Sequence, residues 1–274
     1  MIDIERIKKT QKTSLFGTYV YYFPEIDSTN NYAGRLAEEG APEGTVIITD
    51  FQTAGKGRLS RNWESSSGSN ILMSIILRPR LEIERVSKIT LATSEILVSA
   101  LEKFLSKSKF DTLTFTVKWP NDILVNGKKI AGILTESSLR DKNIIYVIVG
   151  IGLNVNQDII NLSDDIRLNA TSLFAETGQI FDREILIAEI ITEFEKQYFN
   201  LERTNYNQVM ENWKNRCDHI GKDIVIETHV TSERGEFIDV TEKGILLKMS
   251  ENEEEKEFVA GTIKSVKVID GSDG

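Results

Sequence analysis

The sequence predicts an α+β fold: a mixed, largely antiparallel sheet packed with helices, followed by a small β-barrel. Three observations carry this prediction. Two long stretches, 84–107 and 182–201, repeat apolar residues at helical spacing. Between them, short apolar runs joined by tight turn signals form an antiparallel meander. Beyond Gly221 the period changes from helical to two, with short strands evenly spaced. At 274 residues the chain has room for one large domain and one small one. The expected organisation is a leader (1–17), a main domain (18–220), a barrel (221–270) and a disordered tail (271–274).

Residues 1–17 are polar and basic, with a short amphipathic stretch at most. They are too short to hold a helix-turn-helix domain. Thr18 to Phe23 is rich in aromatic and β-branched residues and reads as a strand. Ser28 or Thr29 can cap the next helix, whose Tyr32, Ala33, Leu36 and Ala37 share a face before Gly40 stops it. Capping alone explains Ser28, Thr29 and Asn30; the alternative is hydrogen bonding to a polar ligand group. Gly44–Phe51 and Ile71–Leu77 are buried strands. The helix over 84–107 is core, from Val86 to Leu105.

Leu113–Val117 is a strand that must turn or lie at an edge at Pro120. Asn126-Gly127 marks a hairpin, Lys129–Glu136 returns, and residues 140–143 turn into Ile144–Val149. Lys129 at a strand start reads as solvated edge charge or as a point cation for an oxyanion. Gly150 and Gly152 form a partial glycine loop that lacks the dinucleotide fingerprint. Residues 162–179 are mostly loop. Asp182 caps the next long helix, with Ile185, Leu186, Ala188, Ile191, Phe194 and Tyr198 inward. A shorter helix over 206–217 carries Trp213. In the barrel, turns are expected at Gly235 and Gly244, and the acidic run Glu251–Glu257 reads as a solvated hairpin tip.

Composition excludes several classes of function. No run of about twenty apolar residues exists, and the N-terminus lacks a signal-peptide core. The single cysteine, Cys217, rules out an intrachain disulfide framework and fits a reducing cytoplasm. With only His219 and His229 besides, a structural zinc site is disfavoured. A formal net charge of −9 argues against broad nucleic-acid affinity.

Against that acidic background, Asp50–Trp63 stands apart. It carries Lys56, Arg58 and Arg61, with Gly55 and Gly57 beside them and no acidic residue before Glu64. Cations and accessible amides in one loop suit a phosphate that gains charge during a reaction. An ordinary solvated loop is the plainer reading.

Five motifs in one order decide between these readings. They are Asp27-Ser28-Thr29-Asn30, Gln52 to Arg58, Lys118-Trp119-Pro120-Asn121-Asp122, Lys129 to Leu134, and Gly150 to Asn154. Together they closely resemble the biotin protein ligases, from about Thr18 to Val268. The resemblance implies a class II aminoacyl-tRNA synthetase/biotin ligase-like domain followed by an SH3-like barrel. It implies a two-step, ATP-dependent reaction: biotin is activated as biotinyl-5′-AMP, then transferred to a lysine of a biotin carboxyl carrier domain.

The implied catalytic residues are Lys129 and Arg58. The implied biotin contacts are Ser28, Thr29, Asn30, Gln52, Gly55, Lys56, Gly57, Arg58, Lys129, Gly132 and Gly152. The implied ATP contacts are Lys56, Arg58, Arg61, Trp63, Lys118, Asn121, Asp122 and Asn154, with Trp63 stacking on adenine. Asp122 would ligate Mg²⁺; read locally, it could equally pair with Lys118. The family commonly has arginine where this chain has Lys56, and the arginine often found near the last barrel strand has only Lys264 and Lys267 nearby. The form expected is monofunctional, without a DNA-binding domain. Its partner would be the carboxylase carrier, not DNA or membrane, with a homodimer left open. The alternatives are a lipoate or octanoate ligase and a non-catalytic biotin sensor.

Overall fold

The computed structural model describes residues 1–106, 108–141, 143–204, 207–228, 230–241 and 243–265. The tail, Tyr206, Lys267 and the end of the last expected strand lie outside them. In chain order the elements are α1 (Ile4–Thr10), β1 (Val20–Phe23), α2 (Thr29–Glu38), β2 (Val46–Thr49), β3 (Ile71–Leu77) and α3 (Val86–Leu105). Then come β4 (Phe115–Lys118), β5 (Asp122–Val125), β6 (Lys128–Arg140), β7 (Asn143–Leu153), α4 (Asp164–Arg167), α5 (Leu173–Thr177), α6 (Arg183–Thr204) and α7 (Asn207–Arg216). The chain closes with β8 (Asp223–Glu227), β9 (Ser232–Val240), β10 (Ile245–Met249), β11 (Glu255–Phe258) and β12 (Thr262–Ser265).

The main sheet has seven strands in the order β1-β2-β3-β7-β6-β5-β4. Only β1 and β2 run parallel; every other pair is antiparallel. The second sheet, β11-β10-β9-β8-β12, is antiparallel throughout, consistent with the SH3-like barrel expected there. The α+β architecture read from periodicity is therefore the observed one.

Strand alternation assigns the two faces of the main sheet. Ile71, Met73, Ile75, Val147, Val149 and Ile151 point into the large core with α3, α6 and α7. On the opposite face, Ile47, Ile76 and Ile148 pack beneath Ala33 and Ala37 of α2. Further along that second face the residues are Ser74, Gly132, Gly150 and Gly152. The register puts Ser74 beside Gly150, and Gly152 beside Gly132. A strip of sheet is thus left almost without side chains, and a cavity lies over it.

Several local expectations are corrected. Gly150 and Gly152 do not form a loop; β7 runs through both to Leu153, because each is paired on both sides. The 162–179 segment contains α4 and α5. Ile185 is exposed, while Ile187 and Ile190 are buried in its place. Gly235 sits inside β9 rather than at a turn; a Cβ there would lie 2.5 Å from the Lys248 carbonyl oxygen.

The N-terminal seventeen residues also do more than lead in. Ile2, Ile7 and Phe16 are buried. Glu195 of α6 accepts hydrogen bonds from the amides of Ser14 (2.8 Å), Leu15 (2.8 Å) and Phe16 (2.7 Å), and from the Ser14 hydroxyl (3.1 Å). Burial alone would raise the Glu195 carboxyl, but these donors outweigh it and hold the group below its ordinary range. The three buried residues are five and nine positions apart, a spacing with neither helical nor strand period, so this anchoring left no pattern in the sequence. Nearby, Asp50 accepts from Tyr22 (2.6 Å) and Arg183 (2.9 Å), with the Met1 amine 3.8 Å away.

Candidate active site

The cavity over the glycine strip encloses about 560 Å³. Its floor is bare for a steric reason. A Cβ on Gly152 would lie 2.6 Å from the Trp63 indole, and one on Gly132 would lie 2.9 Å from both that ring and Lys129 Nζ. The Trp63 ring, carried by the cationic loop, therefore rests on the floor, with Lys129 Nζ 5.4 Å from a ring centroid. Its indole N–H is buried and has no hydrogen-bond partner among the described residues.

One end of the cavity is a polar corner. Thr29 and Asn30 open α2 and are buried, as is Ser28. Ser28 occupies the N-cap position but makes no side-chain capping bond, so capping does not account for these residues. Gln52, three residues beyond β2 in an isolated bridge with Ile26, accepts through Oε1 from the Thr29 amide (2.8 Å) and hydroxyl (3.2 Å). Asn30 lies flat on Gly150, where a Cβ would come within 2.2 Å of Asn30 Oδ1. Its amide donates to Glu136 (2.6 Å) and to the Leu134 carbonyl (3.2 Å).

The other end is cationic. Lys129 is the second residue of β6, just after the hairpin at Asn126 (φ 52°) and Gly127 (φ 74°), both in the left-handed region such a turn demands. Lys129 Nζ lies 2.6 Å from Asp122 Oδ1, so Asp122 pairs with Lys129 rather than with Lys118. Burial pulls the Lys118 ammonium below its ordinary range; Asp122 opposes this, while Lys129 and Lys264 add to it. Burial likewise lowers the Arg58 guanidinium, against the attraction of Asp122. Arg58 Nη1 donates to the Gly261 carbonyl at 3.3 Å, and Thr262, Ile263 and Lys264 line the cavity. The C-terminal sheet therefore supplies part of the wall.

Some residues singled out in the sequence sit differently from expectation. Lys56 Nζ turns to the rim, 2.5 Å from Asn31 Oδ1 and 3.9 Å from Glu136. Gly55 does not line this cavity; its Cβ position is blocked 2.7 Å away by the Trp63 carbonyl oxygen, so it serves the crossing of the loop's two arms. The Gly57 amide donates to the Arg61 carbonyl at 2.7 Å instead of facing an anion. Arg61 lines the cavity. Asn154 is buried, donating to the Thr171 carbonyl (2.9 Å) and accepting from Asn70 (3.3 Å). Asn121 donates to the Ile133 carbonyl at 2.8 Å.

Sequence reading missed Ser74, Glu136 and the Asn169–Thr171 segment that pairs with Lys129. Ser74 had a signal: it is the one polar residue in the apolar run Ile71–Leu77.

A model of the biotin/lipoate A/B protein ligase family matches residues 22–154, which span this cavity's floor and both its ends. The bifunctional ligase/repressor BirA of Bacillus spizizenii is 36% identical over 236 residues, covering 86% of this chain and 71% of that protein. The chain belongs to the biotin protein ligase family. Family membership extends beyond the BirA proteins: a biotin–[acetyl-CoA-carboxylase] ligase of Paracoccus denitrificans is 28% identical, covering 81% of this chain and 90% of that one. The biotin protein ligase of Aquifex aeolicus, solved with biotin and ATP, superposes with a TM-score of 0.75 at 27% identity. That match covers 90% of this chain and 98% of the other.

Among the described residues no group of three His, Cys, Asp or Glu side chains could hold a metal ion. Asp122 is already engaged by Lys129. A Mg²⁺ ion held by protein carboxylates alone therefore has no site among the described residues. No helix among the described residues is long and apolar enough to cross a membrane.

Proposed function

We propose that this chain activates biotin with ATP, forming biotinyl-5′-AMP and pyrophosphate, and then transfers the biotinyl group to a lysine amine of a biotin carboxyl carrier domain. The observation that carries this reading is the shared cavity: a buried polar corner at Thr29 and Gln52, a bare glycine floor, and the cations Arg58, Lys118 and Lys129 at the other end.

Both substrates are anionic, so bringing a carboxylate to the α-phosphate requires nearby positive charge. Lys129 is the cation for the carboxylate and the bridging oxygens, where negative charge grows in the transition state. Arg58, held to the barrel, closes the loop over the adenylate and keeps water from the mixed anhydride. Ser28, Asn30, Gly132 and Gly152 shape the acid's pocket, with Gly57 and Lys56 in the loop above it. Lys118, Asn121, Asn154, Arg61 and Trp63 line the nucleotide side. Mg²⁺ enters as the counter-ion of ATP rather than as a resident metal, since such ions are held largely by substrate phosphates. The working units are residues 18–220 for chemistry and the segment from Gly221, described as far as Ser265, for the barrel.

The deciding experiment incubates a carrier domain with the protein, ATP and biotin, and weighs the product by mass spectrometry. A single biotinyl increment that needs ATP supports the reading. Modification by lipoate or octanoate instead would reassign the substrate. Tight biotin binding without pyrophosphate release would make the protein a sensor.

A further inference from the structure

We infer that Ser74 is a positioning residue that fixes which way the protons of the polar corner point, and thereby selects an acid carrying an N–H next to a C=O. The inference rests on the functional reading above and adds to it a basis for choosing the acid.

Ser74 is fully buried in the middle of β3. Its Oγ lies 2.7 Å from Thr29 Oγ1 and 2.6 Å from Asn30 Oδ1. The orientation of Asn30 is fixed, because its NH₂ group donates to Glu136 and to the Leu134 carbonyl. A carboxylate and a carbonyl only accept, so Asn30 Oδ1 must face Ser74 as an acceptor. Gln52 is fixed in the same way: its Oε1 takes the Thr29 amide proton at 2.8 Å, so its NH₂ is the end left over.

Each hydroxyl has one proton. The Ser74 proton is taken by Asn30 or Thr29. The Thr29 proton is taken by Gln52 Oε1 or Ser74 Oγ. With its proton engaged by either neighbour, 3.2 Å to Gln52 Oε1 or 2.7 Å to Ser74 Oγ, the Thr29 hydroxyl presents a lone pair to the cavity. Beside it, the Gln52 NH₂ offers protons and has no acceptor among the described residues. An acceptor next to a donor complements an N–H next to a C=O, the pattern of a cyclic urea. A dithiolane ring or a plain alkyl chain would leave both groups unpaired, and burying unpaired polar groups is strongly disfavoured. Without Ser74, the Asn30 acceptor is orphaned and the Thr29 hydroxyl loses the neighbour that helps to hold it.

The test uses the full chain and follows pyrophosphate release with biotin, desthiobiotin (which keeps the urea) and octanoate (which lacks it). Ser74→Ala is expected to raise KM for biotin and desthiobiotin about tenfold or more, with KM for ATP changed by less than about twofold. The preference for biotin over octanoate should narrow by a similar factor. Ser74→Cys, with a weaker donor of similar size, should fall between; if Ser74→Ala does not fold, this variant carries the test. An unchanged KM for biotin, a parallel rise in both KM values, or an unchanged preference would each overturn the inference. If the wild-type protein releases no pyrophosphate with biotin, the functional reading itself falls, and the inference with it.

Discussion

Lys129 Nζ and Asp122 Oδ1 stand 2.6 Å apart across adjacent strands, so the cation of the cavity is held by a carboxylate that shares it with any incoming ligand. The pair is partly exposed, so it adds little to stability. Its effect is positional. Lys129→Ala should lower the rate of biotinyl-adenylate formation by about 10²- to 10³-fold while the melting temperature stays near wild type. Pyrophosphate release close to wild type would remove Lys129 from the mechanism.

Arg58 joins the cationic loop to the C-terminal sheet through the Gly261 carbonyl. Arg58→Gly removes that tie and restores backbone freedom that ordering must then overcome. The variant should still make adenylate but release it faster, by about tenfold or more. A stopped-flow chase with unlabelled biotin reads the release directly.

Arg216 bridges two carboxylates of α3. Its Nε lies 2.7 Å from Glu95, and its two terminal nitrogens lie 2.7 and 2.9 Å from Glu102. Glu95 is buried, and burial raises its carboxyl above the ordinary range despite Arg216. Arg216→Ala strands that carboxylate and should cost about 3 kcal/mol by urea unfolding. Adding Glu95→Gln to the same chain should recover part of the loss.

Glu195 gives a dependence on pH. Its carboxyl is lower in the folded chain than in the unfolded one, because the 14–16 amides prefer the anion. The stability it contributes is therefore full above the unfolded value, about 4.3, and is lost as pH falls through the lower folded value. Glu195→Gln should melt earlier than wild type at pH 7, and the two melting curves should draw together as pH drops below about 4. A constant gap across that range would assign the contribution to shape rather than charge.

Much of this was legible in the sequence because it is written in periodicity. The helix from Val86, the Asn126-Gly127 hairpin and the change of period after Gly221 each follow from local rules, and the structure contains all three. The two ends of the cavity were legible as motifs. What escaped was the part made by register. Ser74, Gly132, Gly150 and Gly152 are far apart in the chain and become one floor only when β3, β7 and β6 pair. The same holds for Asp122, whose partner is set by strand pairing, and for Gly261, which reaches Arg58 across 203 residues. The loop glycines also have roles inside the loop that no local rule announced: the Gly57 amide donates to the Arg61 carbonyl, and Gly55 leaves room for the Trp63 carbonyl oxygen.

The Met1 amine stands 3.8 Å from Asp50, the residue at which the cationic loop leaves its strand. Any polypeptide joined ahead of Met1 would therefore emerge at the hinge of that loop. A tag or an appended module placed there would act as a hand on the latch, and its bulk would be felt in how readily the loop swings. Purification handles for kinetic work on this chain belong at the other terminus.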